Sequence, residues 1–448
     1  MRQMDFTDGP ILKQLFFFST PIMLANLLQV SFQFVDSMWV GNLLGADSLG
    51  AVTISSTVIL TVLSFIIGVN NAALTILSQQ RNRDNDSGLK SYLNAFAVLL
   101  TCLSLALGIA GYVYSEAILK MLDTPAEMIS EAVVYLRINF IGILFLFGYN
   151  FISTILRALG DSKTPLKFVF AAVILNVILD PLFISVLDLG IAGAAYATVA
   201  SQGIAFILGM LYTLRARAVP FSIPAIPKKE EVLLILKLGI PAGLQMAVIY
   251  AGVTAILTVV NSFGGHAVAG FGAAQRLDSL IILPAMALGT AVNSMAGQNI
   301  AGNHWRRVHQ IALYGVLYNL AVMLLIAVIV FMLAEFAVKL FVQQDDAVSF
   351  GAAYLKIVAF FYPFIGLNFI LNGIVRASGA MYQVLLLNII SFWILRYPLT
   401  YFVSSFVGEN GIAWGMGIGF IISSAFSFLY YRFGNWRKIA LFSSKNTS

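Results

Sequence analysis

About twelve apolar runs follow one another along this chain, each roughly 22 to 31 residues long. They lie near 11–40, 49–78, 91–116, 131–157, 165–186 and 190–213, then near 233–262, 268–298, 310–340, 351–376, 383–406 and 411–432. A run of that length matches a helix crossing the hydrocarbon core of a bilayer. Inside lipid every backbone amide needs a partner within the protein, which leaves helices or a closed barrel. Period-two alternation is absent and the runs are too long for barrel strands, so helices are expected. Composition agrees, because 60% of the 448 residues are hydrophobic and 10% are charged. A soluble protein of this size could not hide so much apolar side chain from water. The chain therefore reads as an all-α polytopic membrane protein.

Basic residues set the expected orientation. Arg2 and Lys13 flank the start of the first run, and Arg81, Arg83 and Lys90 follow the second. Arg157, Lys163 and Lys167 follow the fourth, and Arg215, Arg217, Lys228 and Lys229 the sixth. Arg306 and Arg307 come after the eighth, Arg376 after the tenth, and Arg432, Arg437 and Lys438 after the twelfth. The alternate loops hold little beyond Lys120 and Lys339. An excess of Lys and Arg marks cytoplasmic loops, so both termini are expected to be cytoplasmic; a plasma-membrane location and a monomer are separate expectations. The net charge of +6 then reflects topology and contact with anionic lipid, and no nucleic-acid partner is expected. Arg2 to Pro10 is polar and the first run is long, so no cleavable signal peptide is expected. The single cysteine, Cys102, lies in an apolar run and cannot form an internal disulfide.

The two halves resemble each other at an offset of about 220 residues. Pro21 pairs with Pro241, and Gly45 and Gly50 pair with Gly265 and Gly270. "YLRI" at 135–138 matches "YLKI" at 354–357, "RALG" at 157–160 matches "RASG" at 376–379, and "GIAGAA" at 190–195 answers "GIAWGM" at 411–416. Six spans per half give both halves one orientation, so they are parallel repeats about an axis normal to the membrane. The expected organisation is a first lobe over 1–214, a cytoplasmic linker over 215–232, a second lobe over 233–432 and a tail over 433–448.

Against that repeat, Asp36 in "SFQFVDSMWVG" stands out. Its counterpart counted from the paired prolines is Ile256, so the scaffold does not need the acid twice. A second membrane acid, Asp180 in "LNVILDPLFI", shares a helix face with Asn176 four residues earlier, and Tyr397 stands opposite it in the repeat. Charge in a bilayer is costly, so such acids are usually functional or paired. Two carboxyls in one dry pocket do not both stay ionised at neutral pH; such a site can hold a proton, or recruit Na⁺ with help from Asn176 and from Thr198 in "AAYATVAS". Pro21 and Pro181 each remove an intrahelical hydrogen bond and permit a bend near these acids. The structural alternatives are a misjudged span boundary or a buried ion pair for Asp36, and a helix end at "LDPL" for Asp180.

These residues resemble a family. "FVDSMWVG", "ALGDSKTPL" and "NVILDPLFI", set in twelve spans and two repeats, are similar to the multidrug and toxic compound extrusion (MATE) transporters, in their DinF-like branch. The resemblance covers nearly the whole chain. It implies a V-shaped pair of six-helix lobes that exports organic cations in exchange for H⁺ or Na⁺, with no other cofactor. It implies a cation site at Asp36, Asn176, Asp180 and Thr198 with Tyr135 beside it, and a bend at Pro21. The NorM-like branch instead carries acids in spans seven and ten. Span seven here, "GLQMAVIYAGVTAILTVV", has none, and Gly366 stands where the span-ten aspartate would fall.

Other features are weaker signals. Gln33 and Gln245 are candidates for a substrate cavity, because an amide facing lipid is costly. Arg396 lies well inside span eleven with no sequence partner; it faces either the cavity or an ion pair, or snorkels. Arg276 and Asp278 are expected to pair, with a substrate contact for Arg276 as the alternative. Arg137 and Lys356 occupy matching repeat positions and suggest interfacial anchors. Plentiful Phe, Tyr and Met suit either a promiscuous cavity or ordinary packing. "LGDSKT" lacks the first glycine and the spacing of a P-loop, and His266, His304 and His309 show no metal spacing. Direct ATP use and enzymatic chemistry are not expected. A flippase for lipid-linked glycans remains the alternative within the same superfamily, and it would call for several cationic cavity residues.

Overall fold

A computed structural model describes residues 3–82, 86–216, 219–221, 225–439 and 441–442. Arg2, Arg83 and Arg217, used above for orientation, lie outside the described residues. Each apolar run is helical. Helices α1 (Ile11–Leu44), α2 (Ala46–Arg81) and α3 (Asp86–Met121) fill the first three runs. The fourth run is broken into α4 (Ala126–Ile141) and α5 (Ile143–Ala158), bent by 49°. Helix α6 (Lys163–Pro181) continues as a π-helical stretch, Leu182–Val186, and α7 (Gly190–Arg215) closes the first half.

The second half repeats the plan. It holds α8 (Lys229–Asn261), then α9 (Gly265–Ile281) and α10 (Leu283–Ala301) in one span, and α11 (Trp305–Lys339). Next come α12 (Asp345–Ala359) and α13 (Tyr362–Ala377), bent by 53°. A span built from α14 (Met381–Ile389), a π-helical stretch (Ile390–Arg396) and α15 (Tyr397–Val407) precedes α16 (Gly411–Phe433). Ten helical segments are long and apolar enough to cross a membrane, and the two bent pairs raise the total to twelve. No strand occurs among the described residues.

The bends fall in spans four and ten, which are equivalent in the repeat. Pro363 sits in the first turn of α13, where its missing N–H costs nothing to the new helix but cannot continue the old one. The repeat also shows in the backbone. Gly45 opens α2 with φ 95° and Gly264 opens α9 with φ 98°, a region that a Cβ makes unfavourable. The structural partner of Gly45 is thus Gly264; the pairing with Gly265 read from the sequence is off by one residue.

Large apolar side chains remain exposed along the helices, as on α11 at Leu317, Leu324, Leu325, Val328, Met332 and Phe336. Surface of that kind is stable against lipid tails rather than water. The chain divides into two compact units, Met1–Met4 with Leu24–Gly239, and Asp5–Met23 with Ile240–Ser448. In the first, Tyr135, Phe147 and Phe96 are buried in the core. In the second, Phe271, Tyr354, Tyr362 and Phe420 share one buried cluster, with Phe271 edge-on to Tyr354 at 5.2 Å. The same unit buries Phe6, whose backbone is held by Gln298 (3.3 Å), Asn299 (2.9 Å) and Arg307 (2.7 Å). Arg307, read from the sequence as a topology signal, therefore also anchors the start of the chain.

Candidate functional site

Asp36 lies about three-quarters of the way along α1 and is buried, 6% exposed. The Tyr135 hydroxyl on α4 donates to its Oδ2 at 3.3 Å, a long and therefore weak bond, and also interacts with the Ser56 side chain on α2. Asp36 Oδ1 has no hydrogen-bond partner. On α6, Asn176 Nδ2 donates to Asp180 Oδ1 at 2.9 Å, as their four-residue spacing requires, and both residues are fully buried. That leaves Asn176 Oδ1 and Asp180 Oδ2 unpartnered. Asp180 feels the charge of Asp36, and Tyr135 feels both carboxyl groups.

The structure thus brings Asp36, Tyr135, Asn176 and Asp180 into one electrostatic neighbourhood. Thr198 is buried on α7, which packs along α6 and α4, and its Oγ1 also lacks a partner. Among the described residues neither Asp36 nor Asp180 forms an ion pair, so neither has a basic side chain to neutralise it. Four buried oxygens on three helices are left without a proton donor. Hard cations take oxygen ligands of this kind.

The prolines sit where bending is cheap. Pro21 lies inside α1, where it removes one backbone hydrogen bond without ending the helix. Pro181 is the last residue of α6, and the π-helical stretch begins immediately after it. Single π turns inside membrane helices are frequent at functional positions.

Of the other candidates, Gln33 is exposed on α1, whereas Gln245 on α8 is 4% exposed with Oε1 unpartnered. Arg396 ends the second π-helical stretch and is buried between two aromatic rings, 3.7 Å from the centroid of Phe392 and 4.3 Å from that of Phe420. Cation–π contact, and no carboxylate, holds this guanidinium. The expected Arg276–Asp278 pair does not form. Residues two apart on a helix point about 200° away from each other, so they cannot share a face. Arg276 is exposed over Phe341, at 5.8 Å. Asp278 turns inward and accepts hydrogen bonds from Tyr354 at Oδ2 (3.2 Å) and from Tyr362 at Oδ1.

In the sequence Asp278 reads only as half of a pair with Arg276, and its tyrosine partners are missed. A signal was present. "YLKI" matches "YLRI", so Tyr354 is the repeat partner of the tyrosine on Asp36 and invites a search for its own acid. At span ten, the absence of an acid has a steric reason: a Cβ at Gly366 would lie 1.9 Å from Asn319 Oδ1. Asn319 is fully buried and donates to the Pro363 carbonyl at 3.1 Å, so it has no room to yield.

Comparison with known proteins agrees with this architecture. The MatE family profile matches residues 21–182 and again 241–402, two copies at the spacing the internal repeat predicts. The chain is 62% identical to the probable multidrug resistance protein YpnP of Bacillus subtilis over 445 residues, covering 99% of this chain and 100% of that protein. It is 29% identical to the probable multidrug resistance protein YoeA of the same organism over 433 residues, covering 94% and 93%. A solved structure described as the outward-facing conformation of a multidrug resistance MATE family transporter aligns with TM-score 0.90 over 96% of this chain and 98% of its own. Its sequence identity is 21%, so that likeness speaks for the fold alone.

Proposed function

The chain belongs to the MatE family of multi-pass membrane transporters, and we propose that it exports lipophilic organic cations by alternating access in exchange for H⁺ or Na⁺. Transport of drug-like molecules is supported by relatives named as multidrug resistance proteins along nearly their full length. Ion coupling is supported by one observation above the rest. Asp36 Oδ1, Asn176 Oδ1, Asp180 Oδ2 and Thr198 Oγ1 are all buried in membrane helices, and none has a hydrogen-bond partner.

An unmatched carboxylate in a span is expensive. A proton or Na⁺ taken up by these oxygens removes that cost, and its release restores it. Ion binding therefore favours one conformation of α1 over another, provided the helix can bend, and Pro21 supplies the weak point in its hydrogen-bond ladder. The basic loops support cytoplasmic termini, with the organic cation leaving the cell as the ion enters. A flippase for anionic headgroups is less well supported. It calls for several cationic side chains around its ligand, and Arg396 is held between Phe392 and Phe420 while Arg276 is exposed over Phe341.

The test is efflux of ethidium from proteoliposomes holding the purified protein, with a pH gradient and a Na⁺ gradient imposed one at a time. Either gradient should drive efflux above the level of protein-free vesicles. Efflux that ignores both gradients would remove the coupling mechanism.

A further inference from the structure

Within the second unit, Asp278 on α9 is gripped by two phenols from different helices. Tyr354 on α12 donates to one carboxylate oxygen and Tyr362 on α13 to the other. Both tyrosines are sealed, 0% and 1% exposed, while Asp278 is half-buried. The Tyr354 hydroxyl also touches Met416 Sδ at 3.4 Å, and Phe271 packs edge-on against its ring.

Joining two tyrosines does not need a charge, because a neutral amide could accept from one phenol and donate its NH2 to the oxygen of the other. What an aspartate adds is negative charge, and in a membrane span that charge is costly unless something matches it. Nothing in the chain does so among the described residues. Arg276, two positions away, faces Phe341, and no Lys, Arg or His nitrogen comes within 4.0 Å of the carboxylate. Arg396 is in electrostatic reach of Tyr354, yet its guanidinium lies between two phenylalanine rings.

We propose that Asp278, held by Tyr354 and Tyr362, is a second cation-recognition site of this protein, one that takes the ammonium or delocalised cationic end of an exported molecule. The proposal rests on the export reading above and goes beyond its first-unit ion site. The surroundings favour an organic cation over a metal ion. Both phenols are already engaged as donors, and the other polar neighbour is a thioether, whereas hard metal ions need several free oxygens. Aromatic faces and a methionine suit a bulky, polarisable ligand. The repeat gives independent support, since its equivalent tyrosines, Tyr135 and Tyr354, each contact a membrane carboxylate.

The experiment measures binding of rhodamine 6G, a permanent cation, and of neutral Nile red to the full-length protein in nanodiscs by fluorescence polarisation. Asp278→Asn should weaken rhodamine 6G binding at least tenfold, leaving Nile red binding and the melting temperature near wild type. Unchanged rhodamine 6G affinity in a folded Asp278→Asn protein overturns the proposal, and so does equal weakening for both dyes. If Asp278→Asn does not fold, Tyr362→Phe decides. It keeps the carboxyl group, removes one donor, and should weaken binding of the cation alone; an unchanged affinity again overturns the proposal. Wild-type protein that fails to bind rhodamine 6G would overturn the export reading and this site with it. Wild-type binding that survives Asp278→Asn overturns this site alone.

Discussion

Tyr135 and Tyr354 occupy matching places in the two repeats, and each donates its phenol hydrogen to a membrane carboxylate, Asp36 at 3.3 Å in one case and Asp278 at 3.2 Å in the other. The acids themselves are not equivalent. Asp36 comes from the first helix of its half, where the repeat has Ile256, a core residue 1% exposed. Asp278 comes from the second helix of its half, where the repeat, aligned from Gly45 and Gly264, has Ile59. The scaffold repeats, while its polar chemistry differs around an equivalent tyrosine.

Asp36→Asn should abolish gradient-driven ethidium efflux while leaving insertion and the melting temperature close to wild type. The amide keeps an oxygen for Tyr135 and removes the charge that an ion must compensate. Asp180→Asn should be nearly as damaging, with Asn176 still able to donate to the remaining carbonyl oxygen. Normal efflux from proteoliposomes carrying Asp36→Asn would contradict the proposed coupling.

Thr198→Val should separate stability from function. The hydroxyl is buried with no partner, so replacing it with a methyl group of the same shape should stabilise the fold by about 1 kcal/mol. Transport should fall severalfold, because one oxygen of the proposed ion site is lost. Thermal unfolding and efflux measured on one preparation check both halves of the expectation.

Pro21→Ala should raise helix stability, since proline in a helix interior costs about 3 kcal/mol relative to alanine. A stiffer α1 should slow transport several-fold without weakening equilibrium binding of the dye. Dye affinity and initial efflux rate, compared in one lipid composition, distinguish this outcome from a general loss of structure.

Gly366→Ala should destabilise the second unit by about 1 to 3 kcal/mol, because its methyl group meets Asn319 Oδ1 head-on in a site with no slack. The companion change Asn319→Ala should restore much of that loss in the double variant. A melting temperature that is unmoved in Gly366→Ala would mean that α11 and α13 can separate locally.

Much of this was legible from residue order alone. The twelve spans are, because lipid imposes a length and a composition on every crossing helix. The bends at Gly142 and ahead of Pro363 are not, since an apolar run reads the same whether straight or broken. Asp36, Asn176 and Asp180 are visible as polar residues in apolar runs, and the Asn176–Asp180 bond follows from their spacing. Asp278 shows where the reading fails. Arg276 is its neighbour along the chain and points the other way, while its true partners lie 76 and 84 residues further on. Partner choice across helices is set by packing, which charge pattern does not encode. Arg396 fails similarly, since its partner Phe420 belongs to another helix.

The contact between Asn319 and Gly366 also constrains how this lineage can change. Each aspartate codon is one base from a glycine codon, so an acid at position 366 lies within easy genetic reach. Selection for it would nonetheless fail while Asn319 fills the space. The asparagine must shrink first, and that step alone loses the clamp on the Pro363 carbonyl. The shortest path from Gly366 to a carboxylate thus runs through a less stable intermediate, an order of events that laboratory evolution would make visible.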